Sequence, residues 1–198
     1  MLVHEICGAD MAAIERYNST AKEPFKLRTE LGPSPFEGDI ESSPIVLLFA
    51  NPGFDETSST ADHHFTIDGW PLAGLHQRAP VGMRDWWRPR LRVLCERYGD
   101  QYISTKVAAL QINPWASMKF DANLRLPSRR TMLEIAEGIV RRGAILVVMR
   151  AERQWLESDL LRTYRHRYRT RAPRCSYITE PNLGSEAWAK INSELSQS

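Results

Sequence analysis

A short bend after an apolar run carries the side chain that is best suited to chemistry in this chain. Residues 45–50 (IVLLFA) are continuously apolar and are followed at once by Asn51, Pro52 and Gly53. The Asn51 amide offers an acceptor oxygen and an NH₂ donor, so it can hold a water molecule or a polar ligand. Pro52 stiffens the bend, and Gly53 lets another group approach the backbone closely. The alternative is a strand-ending turn in which Asn51 bonds only its own backbone.

Acidic and imidazole groups follow this bend in the same loop. Asp55, Glu56 and Asp62 lie near the adjacent pair His63 and His64. Carboxylates and imidazoles bind metals or act as general acids and bases, so Asp55 is a second candidate catalytic residue; a solvated loop is the alternative. The chain has no phosphate-binding loop, dinucleotide fingerprint, zinc-protease helix or serine-nucleophile turn. We predict neither a metal nor a cofactor.

Aromatic and amide side chains near the strand ends are candidates for binding a base. Phe54, Phe65 and Trp115 have flat faces for stacking, although such rings also pack beneath long loops. Asn113 follows the apolar run 107–112 (VAALQI), and it either reads the edge of a base or only ends its strand. The predicted binding residues therefore include Pro52, Gly53, Phe54, Phe65, Asn113 and Trp115.

A charged residue directly follows the third apolar run. Arg150 comes after residues 144–149 (AILVVM), so its charge must meet solvent, a ligand or a carboxylate. We expect an ion pair with Glu180 ahead of a phosphate contact, because charges at buried ends are normally paired. Glu180 and Asn182 lie in a turn near the end of the chain and, with Arg150, complete the predicted binding residues.

Positive charge is concentrated in residues 161–174 (LRTYRHRYRTRAPR), which we call the arginine segment. It holds six arginines and no acid, whereas the whole chain has 26 Lys and Arg against 24 Asp and Glu. Arginine bonds phosphate in a bidentate manner, and tyrosine stacks on bases. We expect the segment to border the site and contact a nucleic-acid backbone, preferably DNA; arginines paired with acidic neighbours are the alternative. The arginines predicted to make this contact are Arg162, Arg165, Arg167, Arg169 and Arg171.

Apolar runs alternating with amphipathic segments position these residues. We predict strands at 45–50, 107–112, 144–149 and 175–179, with helices near Asp10, Arg84, Ser128, Trp155 and Ser185. This alternation is typical of right-handed crossovers and a mostly parallel four-stranded sheet between two helical layers, an α/β/α fold. Ligands bind such sheets beyond the carboxyl ends of the strands, which is where Asn51, Asn113 and Arg150 lie.

Length and composition restrict the class of protein. The 198 residues, 42% of them hydrophobic, suit one domain, with a helix and extended loop at 1–43 and the core at 44–198. Three scattered cysteines exclude a four-cysteine metal site and give no disulfide framework. No apolar run approaches the ~18–20 residues of a membrane span, and no secretory signal is evident. We therefore expect a cytoplasmic protein with no membrane partner; the composition does not indicate an oligomeric state.

The bend resembles the first motif of the uracil-DNA glycosylase superfamily. Its mismatch-specific and single-strand-selective branches carry G-x-N-P-G at the end of the first core strand, where this chain has residues 49–53 (FANPG). The second motif, N/H-P-S, corresponds to residues 180–184 (EPNLG), and Trp86-Trp87 is similar to the aromatic helix between the motifs. The resemblance covers roughly residues 40–196.

The resemblance implies a uracil-DNA glycosylase-like fold and the excision of a damaged or deaminated base. Asn51 would hold the water that attacks the sugar C1′, and the extruded base would stack on Phe54 or Phe65. Phe49 stands at the motif's first glycine, and Glu180 replaces the His or Asn that steadies the leaving base. Since a carboxylate is poorly suited to that role, a non-catalytic module that binds nucleic acid or a nucleotide is the alternative. An unrelated small-molecule enzyme using the acidic loop is a third possibility.

Overall fold

A sheet at the centre of the chain positions the residues discussed above. The computed structural model describes residues 7–54, 59–172 and 176–197. The strands in these ranges are β1 (Phe36–Glu37), β2 (Ile45–Phe49), β3 (Val107–Gln111), β4 (Ile145–Val148) and β5 (Arg167–Arg169). They form one five-stranded sheet in the order β1-β3-β2-β4-β5, so the α/β class is confirmed.

The strands do not all run in the same direction. β2 pairs in parallel with β3 and β4, and β4 pairs in parallel with β5. β1 pairs antiparallel with β3, where Phe36 lies opposite Leu110. The sheet is therefore mixed and five-stranded, which corrects the prediction of a mostly parallel four-stranded sheet. β1 escaped prediction because its two residues lie in a loop rich in proline and glycine, where no apolar run indicates a strand.

The last strand lies at a different place in the sequence from the one predicted. Residues 176–179 are not a strand, and Cys175 lies outside the described residues. The edge position is taken by β5, which belongs to the arginine segment. Tyr168 of β5 lies opposite Val147 and packs against the core on one face, whereas the flanking Arg167 and Arg169 lie on the other face and pair with Glu152. A single apolar side chain between two charged ones fits an edge strand with one covered face.

Helices connect and cover the strands. They are α1 (Met11–Asn18), α2 (Thr60–His63), α3 (Val81–Tyr98), α4 (Asp100–Lys106), α5 (Ser128–Arg141), α6 (Glu152–Trp155), α7 (Asp159–Thr163), α8 (Glu180–Leu183) and α9 (Ser185–Ser196). The helix predicted near Trp155 is two short helices, because Ser158 starts α7 by accepting a hydrogen bond from the Leu161 amide. Among the described residues, no helix has the length and apolarity needed to cross a membrane.

Two apolar clusters form on opposite faces of the sheet, because successive strand residues point to opposite sides. One contains Val46 and Leu48 of β2 together with Met132 of α5. The other contains Leu47 of β2 together with Leu91 of α3, and it also receives α9. Helices therefore cover both faces and leave the ends of the strands for the loops.

The N-terminal part of the chain is built into the first cluster. Cys7, Ile14 and Leu27 are buried there. Asp10 is fully buried, and its carboxylate accepts hydrogen bonds from Trp115 Nε1 at 2.8 Å and from the Ser128 backbone N–H at 2.8 Å. Ser128 itself makes no side-chain cap. Asp10, from a distant part of the sequence, therefore provides an acceptor for one of the unpaired backbone N–H groups in the first turn of α5.

Candidate functional site

The loops that carry the predicted site meet at one edge of the sheet. Because β2, β3, β4 and β5 are parallel, their carboxyl ends lie together, and we call this the carboxyl edge. The Asn113 backbone N–H donates to Ala50 O at 2.9 Å, and the Arg150 backbone N–H donates to Leu48 O at 3.2 Å. The predicted convergence of Asn51, Asn113 and Arg150 is therefore present, with Asn51 in the middle.

The Asn51 side chain is held by its amide nitrogen. Nδ2 donates to Pro52 O at 2.9 Å, to Ser117 Oγ at 3.0 Å and to Ser117 O at 3.2 Å. The side-chain oxygen Oδ1 accepts no hydrogen bond from any described residue, and Asn51 is only half-buried. The amide is thus fixed in orientation with one acceptor left over at the carboxyl edge.

Ser117 anchors this amide, and its role could not be read from the sequence. It is buried in the loop after β3. Its Oγ accepts from Asn51 Nδ2 and donates to Lys119 O at 3.0 Å, while its backbone N–H donates to Pro52 O at 3.4 Å. Ser117 and Asn51 are 66 positions apart, so only the parallel pairing of β2 and β3 brings them together.

The aromatic candidates differ in what surrounds them. The Arg28 guanidinium lies over the Phe54 ring, 4.4 Å from its centroid, and Phe54 is half-buried beside the bend. Phe65 is also half-buried. Gly53 is exposed, and a Cβ there would meet no atom within 4 Å. No group of the described structure therefore packs closely against the Gly53 backbone.

Two other candidates have structural roles. Trp115 is only 4% exposed and packs in the first cluster, with its Nε1 bonded to Asp10. Asn113 Oδ1 accepts from the Trp115 backbone N–H at 3.0 Å. Trp115 consequently offers no free face for stacking, and Asn113 ends its strand in a local turn, as in the alternative considered for both.

A cationic and aromatic group adjoins the bend on the α3 side. The Phe49 ring lies 5.9 Å from Trp86, and the Arg90 guanidinium stacks on Trp86 at 3.4 Å from the ring centroid. Burial lowers the pKa of Arg90; Tyr177 opposes that effect, whereas the nearby charge of Arg150 reinforces it. The Arg150 backbone bonds Leu48 of β2, and the next residue, Phe49, packs on the Trp86 ring that carries Arg90, so both arginines lie at the carboxyl edge.

The expected pair between Arg150 and Glu180 is not formed. Both residues are exposed, and neither takes part in a side-chain ion pair within the described ranges. Glu180 instead begins α8. Asn182 is part of the local framework, since its Oδ1 accepts from the Ala172 backbone N–H at 3.0 Å and its Nδ2 donates to Tyr177 O at 2.8 Å. The prediction that Arg150 pairs with Glu180 is therefore wrong.

The arginine segment does not gather at the mouth of the site. It runs along the sheet as β5, so Arg162 and Arg165 precede the strand, whereas Arg169 and Arg171 lie toward the carboxyl edge. Arg162 pairs with Asp159 at 2.7 Å, and Arg169 and Arg167 pair with Glu152 at 3.1 and 3.7 Å. Arg171 donates to Pro181 O at 3.5 Å. Arg165 is exposed and forms no ion pair or hydrogen bond with the described residues.

Comparison of the chain with protein-family models, curated proteins and solved structures finds no match.

The acidic loop gives no support for metal chemistry in the part that the structure describes. Asp55 and Glu56 lie outside the described residues. Asp62 belongs to the capping box that begins α2, and His64 Nε2 lies 2.6 Å from Leu31 O. Burial lowers the pKa of His63 to about 4, with a further contribution from His64. No group of three potential metal ligands occurs in residues 7–54, 59–172 and 176–197.

Together these contacts define what the carboxyl edge can do chemically. It presents one oriented hydrogen-bond acceptor, Asn51 Oδ1, near the half-buried Phe54, and Arg90 and Arg150 lie at the same edge of the sheet. An oriented acceptor can hold a water molecule against an electrophilic carbon. Guanidinium groups bind phosphate oxygens or a developing negative charge.

Proposed function

We propose that this protein recognises an unstacked base in DNA and hydrolyses its N-glycosidic bond, with the water held by Asn51. The observation that carries the proposal is the side-chain amide of Asn51. Its nitrogen donates hydrogen bonds to Pro52 and Ser117, whereas Oδ1 accepts none from the described residues. An acceptor fixed in this way orients a water molecule without having to reorganise during the reaction.

The proposed reaction needs only water and the nucleoside. The water oxygen bonds to C1′ as the bond from C1′ to the base nitrogen breaks, and the bonding electron pair leaves with the base. The water gives up a proton to solvent, and the base takes one from solvent. Asn51 Oδ1 accepts a hydrogen bond from the attacking water and so holds its oxygen toward C1′.

The fold and the bend also agree with the proposal. Helices cover both faces of the sheet, as in a three-layer α/β/α arrangement. Asn51-Pro52-Gly53 ends the central strand β2, at the place where the resemblance to the uracil-DNA glycosylase superfamily puts the water-holding amide. Phe54, three residues further on, is the proposed stacking ring for the extruded base.

A non-catalytic nucleic-acid-binding module is the second candidate, and Glu180 favours it. This exposed carboxylate stands where the family resemblance places a residue that steadies the leaving base. A carboxylate would repel an anionic base. The same edge would then bind the strand through Arg150 and the exposed arginines of the arginine segment without cleaving it.

Strand cleavage after base loss separates the two candidates. The full chain is incubated with single- and double-stranded oligonucleotides that carry uracil or another damaged base, and abasic sites are then broken with alkali. We expect strand breaks from the wild type and their loss in Asn51→Ala. Salt-sensitive binding without breaks would instead establish the binding module.

An asparagine of similar exposure outside the site provides the matched control. Asn192 of α9 is half-buried, and its side chain bonds Trp188 O and the side chain of Arg97 on the second face of the sheet. Asn192→Ala also removes one anchored amide, but it leaves the carboxyl edge intact. Equal loss of breaks in Asn192→Ala and Asn51→Ala would contradict a specific role for Asn51.

A further inference from the structure

Arg90 is held in an unusual setting for a surface arginine. Its guanidinium lies flat on Trp86, and its Nη1 donates to Trp86 O. Trp86 in turn packs on Phe49, the last residue of β2. The backbone carbonyl of Arg90 accepts from the Ile178 N–H at 2.8 Å. These contacts fix both the position and the plane of the guanidinium at the carboxyl edge.

The remaining edge of the guanidinium has no partner. Arg90 Nε is buried and finds no acceptor, and Nη2, which shares that edge, bonds no described residue. A buried donor without an acceptor destabilises the protein, and the cost is greater where the donor carries charge. The edge made by Nε and Nη2 has the fork geometry that accepts two oxygens of a carboxylate or phosphate once the side chains that cover Nε move aside.

The second guanidinium at this place is also uncompensated. Arg150 follows β4 directly, is exposed, and has no ion pair or hydrogen bond from its side chain to the described residues. Arg150 is joined to Arg90 through β2, because its backbone N–H donates to Leu48 O at 3.2 Å and the next residue, Phe49, packs on the Trp86 ring beneath Arg90. Arg129, by contrast, pairs with Glu157 at 3.2 Å.

We propose that Arg90 and Arg150 form a binding site for a phosphate group of a nucleic-acid strand. Arg90 supplies the pre-oriented fork, and Arg150 adds a second charge from the neighbouring strand end. That this site binds the phosphate next to the nucleoside being cleaved rests on the proposed function, because that function places the sugar at Asn51. Phosphate binding itself requires only the two guanidinium groups.

Binding of a labelled oligothymidylate tests the site. Fluorescence anisotropy at fixed salt is measured for the wild type, Arg150→Gln and Arg90→Lys. We expect Arg150→Gln to weaken binding about ten- to a hundredfold, as for loss of a charge-assisted hydrogen bond, and to reduce the salt slope by about 1. Arg90→Lys keeps the charge but loses the fork, so a similar loss there would identify the fork itself.

Arg92→Gln is the matched control. Arg92 lies two residues after Arg90 on α3, is exposed, and pairs only loosely with Glu96 at 3.9 Å. Its replacement removes the same charge from the same helix, and we expect less than a threefold change in affinity. Equal weakening by Arg92→Gln and Arg150→Gln would overturn the site, since it would show a diffuse charge effect.

A second readout does not depend on a fully stable variant. Inorganic phosphate is added to the ¹⁵N-labelled wild type at constant ionic strength, and the arginine Nε–H signals are followed by NMR. The Arg90 signal, assigned by its absence in Arg90→Lys, should move to lower field as phosphate saturates it. An Arg90 signal that stays fixed while phosphate displaces the oligothymidylate would also overturn the site.

The two proposals fail separately. If the wild type excises no base and phosphate binding is retained in Asn51→Ala, the proposed excision is contradicted and the phosphate site is supported. Base excision by the wild type, together with unchanged oligothymidylate binding in Arg150→Gln and Arg90→Lys, would support the excision and overturn the phosphate site.

Discussion

Replacing Asp10 by alanine tests how the loop that carries Ser117 is held. Asp10 is fully buried and accepts one hydrogen bond from Trp115 Nε1 and one from the Ser128 backbone N–H, each 2.8 Å long. Asp10→Ala leaves both donors buried without an acceptor, at about 1–3 kcal/mol each. We therefore expect the free energy of unfolding to fall by about 2–6 kcal/mol.

Urea unfolding followed by tryptophan fluorescence measures this loss. With an m-value of about 2–3 kcal/mol/M, the midpoint should fall by about 1–2 M while m stays constant. Asp10→Asn retains only one acceptor and turns the other into a donor, so it should lose at least half as much. Asp68→Ala, which removes an exposed carboxylate, is the control. A loss below about 1 kcal/mol in Asp10→Ala would refute the assignment of Asp10 as the link between α5 and the Trp115 loop.

The other predictions concern the site and the core. Ser117→Ala removes one acceptor from the Asn51 amide and should slow base excision about tenfold, with oligonucleotide affinity changed less than twofold; equal loss of affinity would contradict a positioning role. Burial raises the pKa of Glu37 above 4.5, although its carboxylate accepts from Trp87 Nε1. The folded state therefore favours the protonated acid, and the wild type should lose stability relative to Glu37→Gln as the pH rises above about 4.5; a constant difference from pH 3 to 8 would refute this. Burial, with help from a nearby carboxylate, raises the pKa of the Cys7 thiol from 9.0 to about 12, so its alkylation at pH 8, followed by peptide mass spectrometry, should be about a thousandfold slower in the folded than in the unfolded chain. A Cβ on Gly74 would overlap the Trp87 indole, so Gly74→Ala should destabilise the protein by about 1–3 kcal/mol in urea, and an unchanged midpoint would argue against the tight contact.

The buried strands were predictable because their signal is local. β2, β3 and β4 fall within the apolar runs 45–50, 107–112 and 144–149. Each is buried along its whole length, so hydrophobic side chains at successive positions identify it. β1 and β5 carry no such run. β1 is defined by its pairing with β3, and β5 alternates arginine with a single core tyrosine, so both depend on contacts distant in sequence.

The candidate site was predictable in position but not in its contacts. Asn51 and Arg150 had to lie together once the strands were known to be parallel. The anchor Ser117 and the fork of Arg90 on Trp86 depend on how a loop and a helix pack against the strand ends. The expected ion pair between Arg150 and Glu180 was wrong because it also depends on how α8 packs against the strand ends, which spacing along the chain does not determine.

The outer edge of the sheet has a consequence for colloidal behaviour. β5 is short and lies at the margin, with arginine on either side of its one core residue. A margin of this kind discourages one molecule from extending its sheet with a strand of another, because like charges would be brought face to face. Glu152 holds Arg167 and Arg169 on the same side of that margin. The guanidinium groups that interrupt the apolar pattern thus also work against fibril growth and irregular self-association.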